Sequence, residues 1–183
     1  MQDYTYRNSS DIFITTPINI DQEIRKGMEL SLLYNPAKWL QVNTEMNFYT
    51  FEQDGTYHGQ NLNFSGQSFT AKVSAQIKLP AAFAFQGRYN LTGAQGNAQS
   101  RRGAINYVDM GMSKNLLKDK VTVVGDVTNA FNSRKYNTRT TGTDYVFVQI
   151  NSPNAARYRL SVVYRYNLKE GQGVRQAKSN NRN

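Results

Sequence analysis

Few sequence patterns narrow the choice of fold as sharply as strict two-residue alternation, and this chain carries it along most of its length. In "ARYRLSVVYRYN", residues 156–167, odd positions from Arg157 to Arg165 read Arg, Arg, Ser, Val, Arg, while even positions from Tyr158 read Tyr, Leu, Val, Tyr, Tyr. Successive Cβ atoms of an extended chain point to opposite sides of the pleat, so the segment is a strand with one polar and one apolar face. In "SFTAKVSAQIKL", Phe69, Ala71, Val73, Ala75, Ile77 and Leu79 oppose Thr70, Lys72, Ser74, Gln76 and Lys78. "QVNTEMNFYTF", "AFAFQGRYNL" and "GMELSLLY" alternate in the same way.

Two architectures accept such strands. In a soluble sandwich the apolar face meets a second sheet; in a membrane barrel it meets lipid while the polar face lines a wet interior. Composition bears on the choice. Mean hydropathy is −0.65 and only 39% of the 183 residues are hydrophobic, yet 12 Tyr and 9 Phe are too many for an unfolded polar chain. A barrel needs only half of each strand apolar, which suits this balance. No run of 18 apolar residues offers a transmembrane helix.

The connections carry more information than the strands. "YNPAK", "LPA" and "NLLKDK" are short, and between them lie the longer "EQDGTYHGQN" and "TGAQGNAQSRR", with "TTPINIDQE" before and the region of "TTGTD" after. Tight turns at one end and extended loops at the other are the pattern of an antiparallel up-and-down transmembrane barrel, whereas Greek-key sandwiches show no such order. The all-β reading has about eight strands, roughly 4–16, 24–34, 39–52, 62–79, 81–92, 102–114, 119–139 and 145–167. Pro17, Pro36 and Pro80 are expected in connections and Pro153 beyond the membrane span. Tyr34, Trp39, Tyr164 and Tyr166 are expected in a girdle at the short-turn side, and Tyr49, Tyr57, Tyr89 and Tyr107 toward the loops. Trp39 has the wrong parity for the apolar face of its strand.

Chemistry finds little purchase. The chain has one His, His58, and no Cys, which leaves no thiolate metal site and no disulfide. No strained nucleophile turn and no calcium loop accompany His58, so neither catalysis, a metal nor another cofactor is expected. Glu45, Asp109 and Asp126 fall on polar faces, where a cross-strand charge network is the expectation. The net charge of +9 raises nucleic acid as a partner, but rings and cations lie on opposite faces of each strand, and a stacking platform needs them together. No nucleic-acid partner is expected. Residues 168–183 are polar and aperiodic and read as a disordered basic tail, leaving 1–167 as the barrel segment.

"LLKDKVTVVGDVTNAFNSRKYNTR", followed by "ARYRLSVVYRYN", resembles the C-terminal barrel portion of TonB-dependent outer-membrane receptors, in particular the outer-membrane β-barrel group common in Bacteroidetes. The "DVTNAFNSRKY" block from Asp126 to Tyr136 and the closing strand from Arg157 to Tyr166 carry the likeness, with "PINIDQEIRKGMELSLLYNPAKWLQVN" and "MGMSKNLLKDKVTV". It spans about residues 4–167, and it departs from the pattern in that the closing aromatic, Tyr166, is followed by further residues.

The resemblance implies a nutrient transporter of the Gram-negative outer membrane, with these strands the last part of a plugged barrel of about 22 strands. Its partners would be the lipid bilayer, the chain's own N-terminal plug and remaining strands, and TonB through a segment upstream. "MQDYTYRNSS" holds no apolar leader, so the beginning of an envelope chain is expected upstream of it. On this reading Lys72, Arg88, Asp126, Arg157, Arg159 and Arg165 face the lumen, while Tyr34, Trp39, Tyr158, Leu160, Val162, Tyr164 and Tyr166 face lipid or its interface. A charge at Val162 should then impair assembly more than one at Ser161. A self-contained eight-stranded barrel with a structural or adhesive role is the alternative.

Overall fold

The computed structural model describes residues 2–153 and 155–166. Seven strands form one antiparallel sheet: β3 (Gln22–Ala37), β4 (Leu40–Asp54), β7 (Phe64–Leu79), β8 (Phe83–Thr92), β11 (Ile105–Leu116), β12 (Val121–Thr128) and β15 (Arg157–Tyr164). They are ordered β15-β12-β11-β8-β7-β4-β3, each pairing with its neighbour in the chain's own succession. Three of its steps follow from the short connections, since a tight turn returns the chain beside the strand it left. The turns at 38–39, 80–82 and 117–120 all lie at one end.

At the other end the connections grow small structures of their own. These are the hairpin β1 (Gln2–Arg7) with β2 (Phe13–Ile18), the pair β5 (Thr56–Tyr57) with β6 (Gln60–Asn61), β9 (Gln95–Gly96) with β10 (Ser100–Arg102), and β13 (Tyr136–Thr141) with β14 (Val146–Asn151). The last two pairs join as a sheet ordered β14-β13-β10-β9. The alternation of short turns with long loops is thus a property of the fold.

Register converts the alternation into two continuous faces, because residues directly opposite across a pair point the same way. One row runs Val42, Ala75, Gly87, Met110, Val127, Tyr158 across six strands; the next runs Leu40, Ile77, Phe85, Met112, Gly125, Leu160. On the reverse, Gln41, Gln76, Gln86, Gly111, Asp126 and Arg159 form one row, and Glu45, Lys72 and Asn90 belong to another. The apolar face is bare: Leu160 is 75% exposed and Met28 73%. Among the described residues no second layer covers it, which removes the sandwich alternative, since a sandwich buries that face. The small buried core, Tyr4, Ile18 and Leu62 with Tyr57 and Ala98 against it, lies instead among the loop-side segments.

Several expectations need correction. The strand expected over 4–16 is the β1–β2 hairpin, turned where Asn8 Oδ1 accepts from the Ser10 and Ile12 amides and Asp11 takes φ 60°. Among the described residues the main sheet therefore has seven strands and not eight, and it is not closed on itself. The expected strands 102–114, 119–139 and 145–167 are each interrupted, into β10 and β11, β12 and β13, β14 and β15. Pro17 sits within β2 opposite Asp3, and Pro36 lies in β3 where its register with β4 slips between Tyr34 and Ala37. Both are tolerated because a missing N–H matters least at an edge or an irregularity. The tail expected at 168–183 lies outside the described residues.

Candidate functional site

The polar face is built by residues that alternation alone sends there, and register decides which of them meet. Lys72 on β7 stands opposite Glu45 on β4, and its Nζ lies 3.1 Å from Glu45 Oε2. Arg159 on β15 stands opposite Asp126 on β12, with Nε donating to Oδ2 at 2.9 Å. Arg88 is opposite Asp109, whose carboxylate accepts from Asn90 Nδ2 at 3.3 Å and from the Asn129 amide at 2.9 Å. Arg157 lies opposite Thr128, and Arg165 Nη1 donates to Thr122 Oγ1 at 2.6 Å and to the Asp119 carbonyl at 3.2 Å. Of the expected charges, Lys72 pairs with Glu45 and Arg159 with Asp126, on separate seams, while Arg165 bonds a hydroxyl and a backbone carbonyl.

Between the seams lies a notch of about 300 Å³, lined among others by Gln76, Gln86, Arg88, Asp109, Asp126 and Arg159. It opens at Gly111, which has no side chain to fill the row between Gln86 and Asp126. Two guanidinium and two carboxylate groups balance there. Such a surface seats a polar segment or lets solute pass without strong retention; it has no poised nucleophile and base. Among the described residues no three His, Asp or Glu side chains stand together as for a metal ion. His58 occupies the β5–β6 turn with φ 49°, its ring against Tyr57.

Tyr34, Tyr158, Leu160, Val162 and Tyr164 share the apolar face. Tyr166 follows the end of β15, and Trp39 sits in the β3–β4 turn, where its carbonyl accepts from the Lys78 amide. The aromatic belt expected toward the loops is largely a different thing. Tyr89 is on the apolar face, but Tyr49 and Tyr107 are on the polar one, and Tyr57 packs edge-on against Tyr4 with ring centroids 4.8 Å apart. Tyr49, Phe51 and Phe64 form a ring cluster on the polar face near the loops, capped by Arg25 over Tyr49 and Arg101 over Phe64. Its signal was in the sequence: "FYTF" puts rings at both parities, which ends the polar stripe before the strand ends.

A second assembly, unsignalled by any periodicity, holds the loops together. Gln99 accepts from the Thr5 amide at 2.9 Å and donates to the Thr5 carbonyl at 3.0 Å, standing in for a neighbouring strand. The tip of the β13–β14 hairpin reaches the same strand: Tyr145 donates to the Thr5 carbonyl, Asp144 pairs with Arg7, and Gln60 donates to Thr143. Burial raises the phenol pKa of Tyr4, with Tyr57 adding to it, and likewise that of Tyr145, with Tyr4 and Asp144 adding, so both remain donors. Segments up to 140 residues apart in sequence meet here, and for that reason local pattern could not foretell it.

Compared with known families, residues 1–164 match the family described as outer membrane protein beta-barrel family. No curated protein and no solved structure matches the chain.

Proposed function

The chain belongs to the outer membrane protein beta-barrel family, and from that premise we propose that it forms the C-terminal part of a larger, plugged barrel that imports a nutrient with energy from TonB. Family membership sets it in the outer membrane of a Gram-negative bacterium, in contact with the lipid bilayer. The bare apolar face then meets lipid and the polar face lines the interior, so that Lys72, Arg88, Asp126, Arg157, Arg159 and Arg165 look into the lumen. The balanced notch around Gly111 is suited to a plug surface, which must be held in place yet able to move.

The observation that carries the proposal is the direction of the two edge strands. Six antiparallel steps separate β3 from β15, so both run from the loop end to the turn end. Closing the sheet on itself would require a parallel seam in an otherwise antiparallel barrel, and head-to-tail joining of two copies would require the same. An odd number of further strands removes the problem, as about 15 more would in a barrel of about 22. Leaving the edges open is no solution, because lipid cannot satisfy unpaired backbone groups. No catalytic role is proposed.

The test is the size of the native polypeptide. An antibody against the loop at 52–63 should detect, in outer-membrane preparations, a heat-modifiable band well above 20.8 kDa, and the same protein should be retained by immobilised periplasmic TonB domain. A heat-modifiable band at 20.8 kDa without TonB retention would return the small self-contained barrel and dismiss import.

A further inference from the structure

Above the main sheet, the order β14-β13-β10-β9 repeats β15-β12-β11-β8 with the segments that continue those same strands toward the loops. β14 therefore continues, beyond residues 152–156, the chain that forms β15. Both are edge strands, and among the described residues neither has a partner on its outer side. β14 also carries the apolar stripe Val146, Val148 and Ile150, respectively 53, 58 and 76% exposed. This stripe belongs to a hairpin on the loop side of the main sheet. A bare edge strand of this composition is an aggregation hazard unless something pairs with it.

We propose that β15 and β14 form one pairing edge, and that the strand adjoining β15 in the complete barrel runs past the membrane to pair with β14 as well. This rests on the larger-barrel reading above. The occupant is a strand of the same polypeptide, antiparallel to β15. Strand length supports it: β3, β4 and β7 have 16, 15 and 16 residues, whereas about 9 to 11 cross a bilayer. Strands of this barrel project beyond the membrane, and a neighbour of similar length reaches both β15 and β14. It would place side chains beside Val146, Val148 and Ile150 and take up the free hydrogen-bonding groups of both segments. The chain around Pro153, where β14 ends before β15 begins, would appear opposite it as an irregularity.

The experiment places a photoreactive benzoylphenylalanine at Tyr158 or at Val148 of the full-length protein in native outer membranes and maps the adducts by mass spectrometry. Both positions should attach to one stretch of the same polypeptide. The Val148 adduct should fall about ten residues C-terminal to the Tyr158 adduct, because an antiparallel partner rises from the turn end to the loop end. A Tyr158 adduct on a strand, with Val148 attached to lipid, to another protein or to nothing, overturns the shared edge and leaves the larger barrel standing. A Tyr158 variant that is heat-modifiable yet attaches to no strand of its own chain overturns both.

Discussion

Tyr49 covers Gly27. The two stand directly opposite in the β3–β4 register, and a Cβ on Gly27 would come 2.5 Å from Tyr49 Cβ and 2.3 Å from the Phe48 carbonyl oxygen. The Tyr49 ring carries the Arg25 guanidinium, 5.3 Å from its centroid. Gly27→Ala must push backbone or Tyr49 aside, and it should destabilise the barrel by about 1–3 kcal/mol. A lower urea midpoint in detergent micelles checks this; an unchanged midpoint would show that the approach is easily relaxed.

The two faces predict opposite responses to charge. Ala75 and Gln76 are neighbours in β7, on the apolar and polar faces respectively. Ala75 lies in the fourth apolar row from the turn end, near mid-membrane, where Arg costs about 2–4 kcal/mol. Ala75→Arg should therefore block heat-modifiable assembly, and Gln76→Arg should assemble normally. Equal yields in the outer membrane would contradict the assignment of the faces. The sequence-based choice of Val162 is a weaker test: its row also holds Lys114, whose ammonium lies 4.4 Å from the Phe83 ring centroid, so it sits close to the interface.

The Arg159–Asp126 pair should contribute little. Arg159 is 72% exposed and Asp126 19%, and an ion pair with one partner so open to solvent is screened and contributes little. Asp126→Asn is expected to change the unfolding midpoint hardly at all, and the charge-swapped double variant Asp126→Arg with Arg159→Asp should behave as the parent. A clear fall in the midpoint of Asp126→Asn would mean that Asp126 has a further partner in the complete barrel.

Ala81 and Ala82 hold φ of 57° and 59° in the turn between β7 and β8. A left-handed conformation costs an L-residue about 1–2 kcal/mol, which glycine avoids. Ala82→Gly should raise stability by up to about 1 kcal/mol, as read from the thermal midpoint of the heat-modifiable form. A lower midpoint would show that unfolded-state entropy outweighs the relieved strain.

Gln99 makes the loop-side clasp testable apart from the barrel. Gln99→Leu would leave the Thr5 amide without its partner and the Thr5 carbonyl with Tyr145 alone, at a local cost of about 1–3 kcal/mol. Proteolysis within the β1–β2 and β13–β14 hairpins should accelerate while heat-modifiability stays unchanged. If cutting does not speed up, the hairpins are held by Tyr145, Arg7 and the Tyr4 core without it.

Alternation is a local property, and the sequence by itself determined what is local here. It set the all-β class, the parity that sends Lys72 and Arg159 to one face and Leu160 and Val162 to the other, and the end at which the turns lie. Where residues of both kinds crowd together, as at Tyr49 and Phe51, parity ceased to inform. Only the tertiary structure decided that 4–16 is a hairpin, that seven strands share the sheet, that Lys72 meets Glu45, and that Thr5 is held by Gln99 and Tyr145. The reason is physical: a side chain's face follows from its own backbone, whereas partners are chosen by strand order and loop closure across long stretches of chain. The direction of β3 relative to β15 is the plainest case, since it depends on how many strands stand between them and on no residue in either.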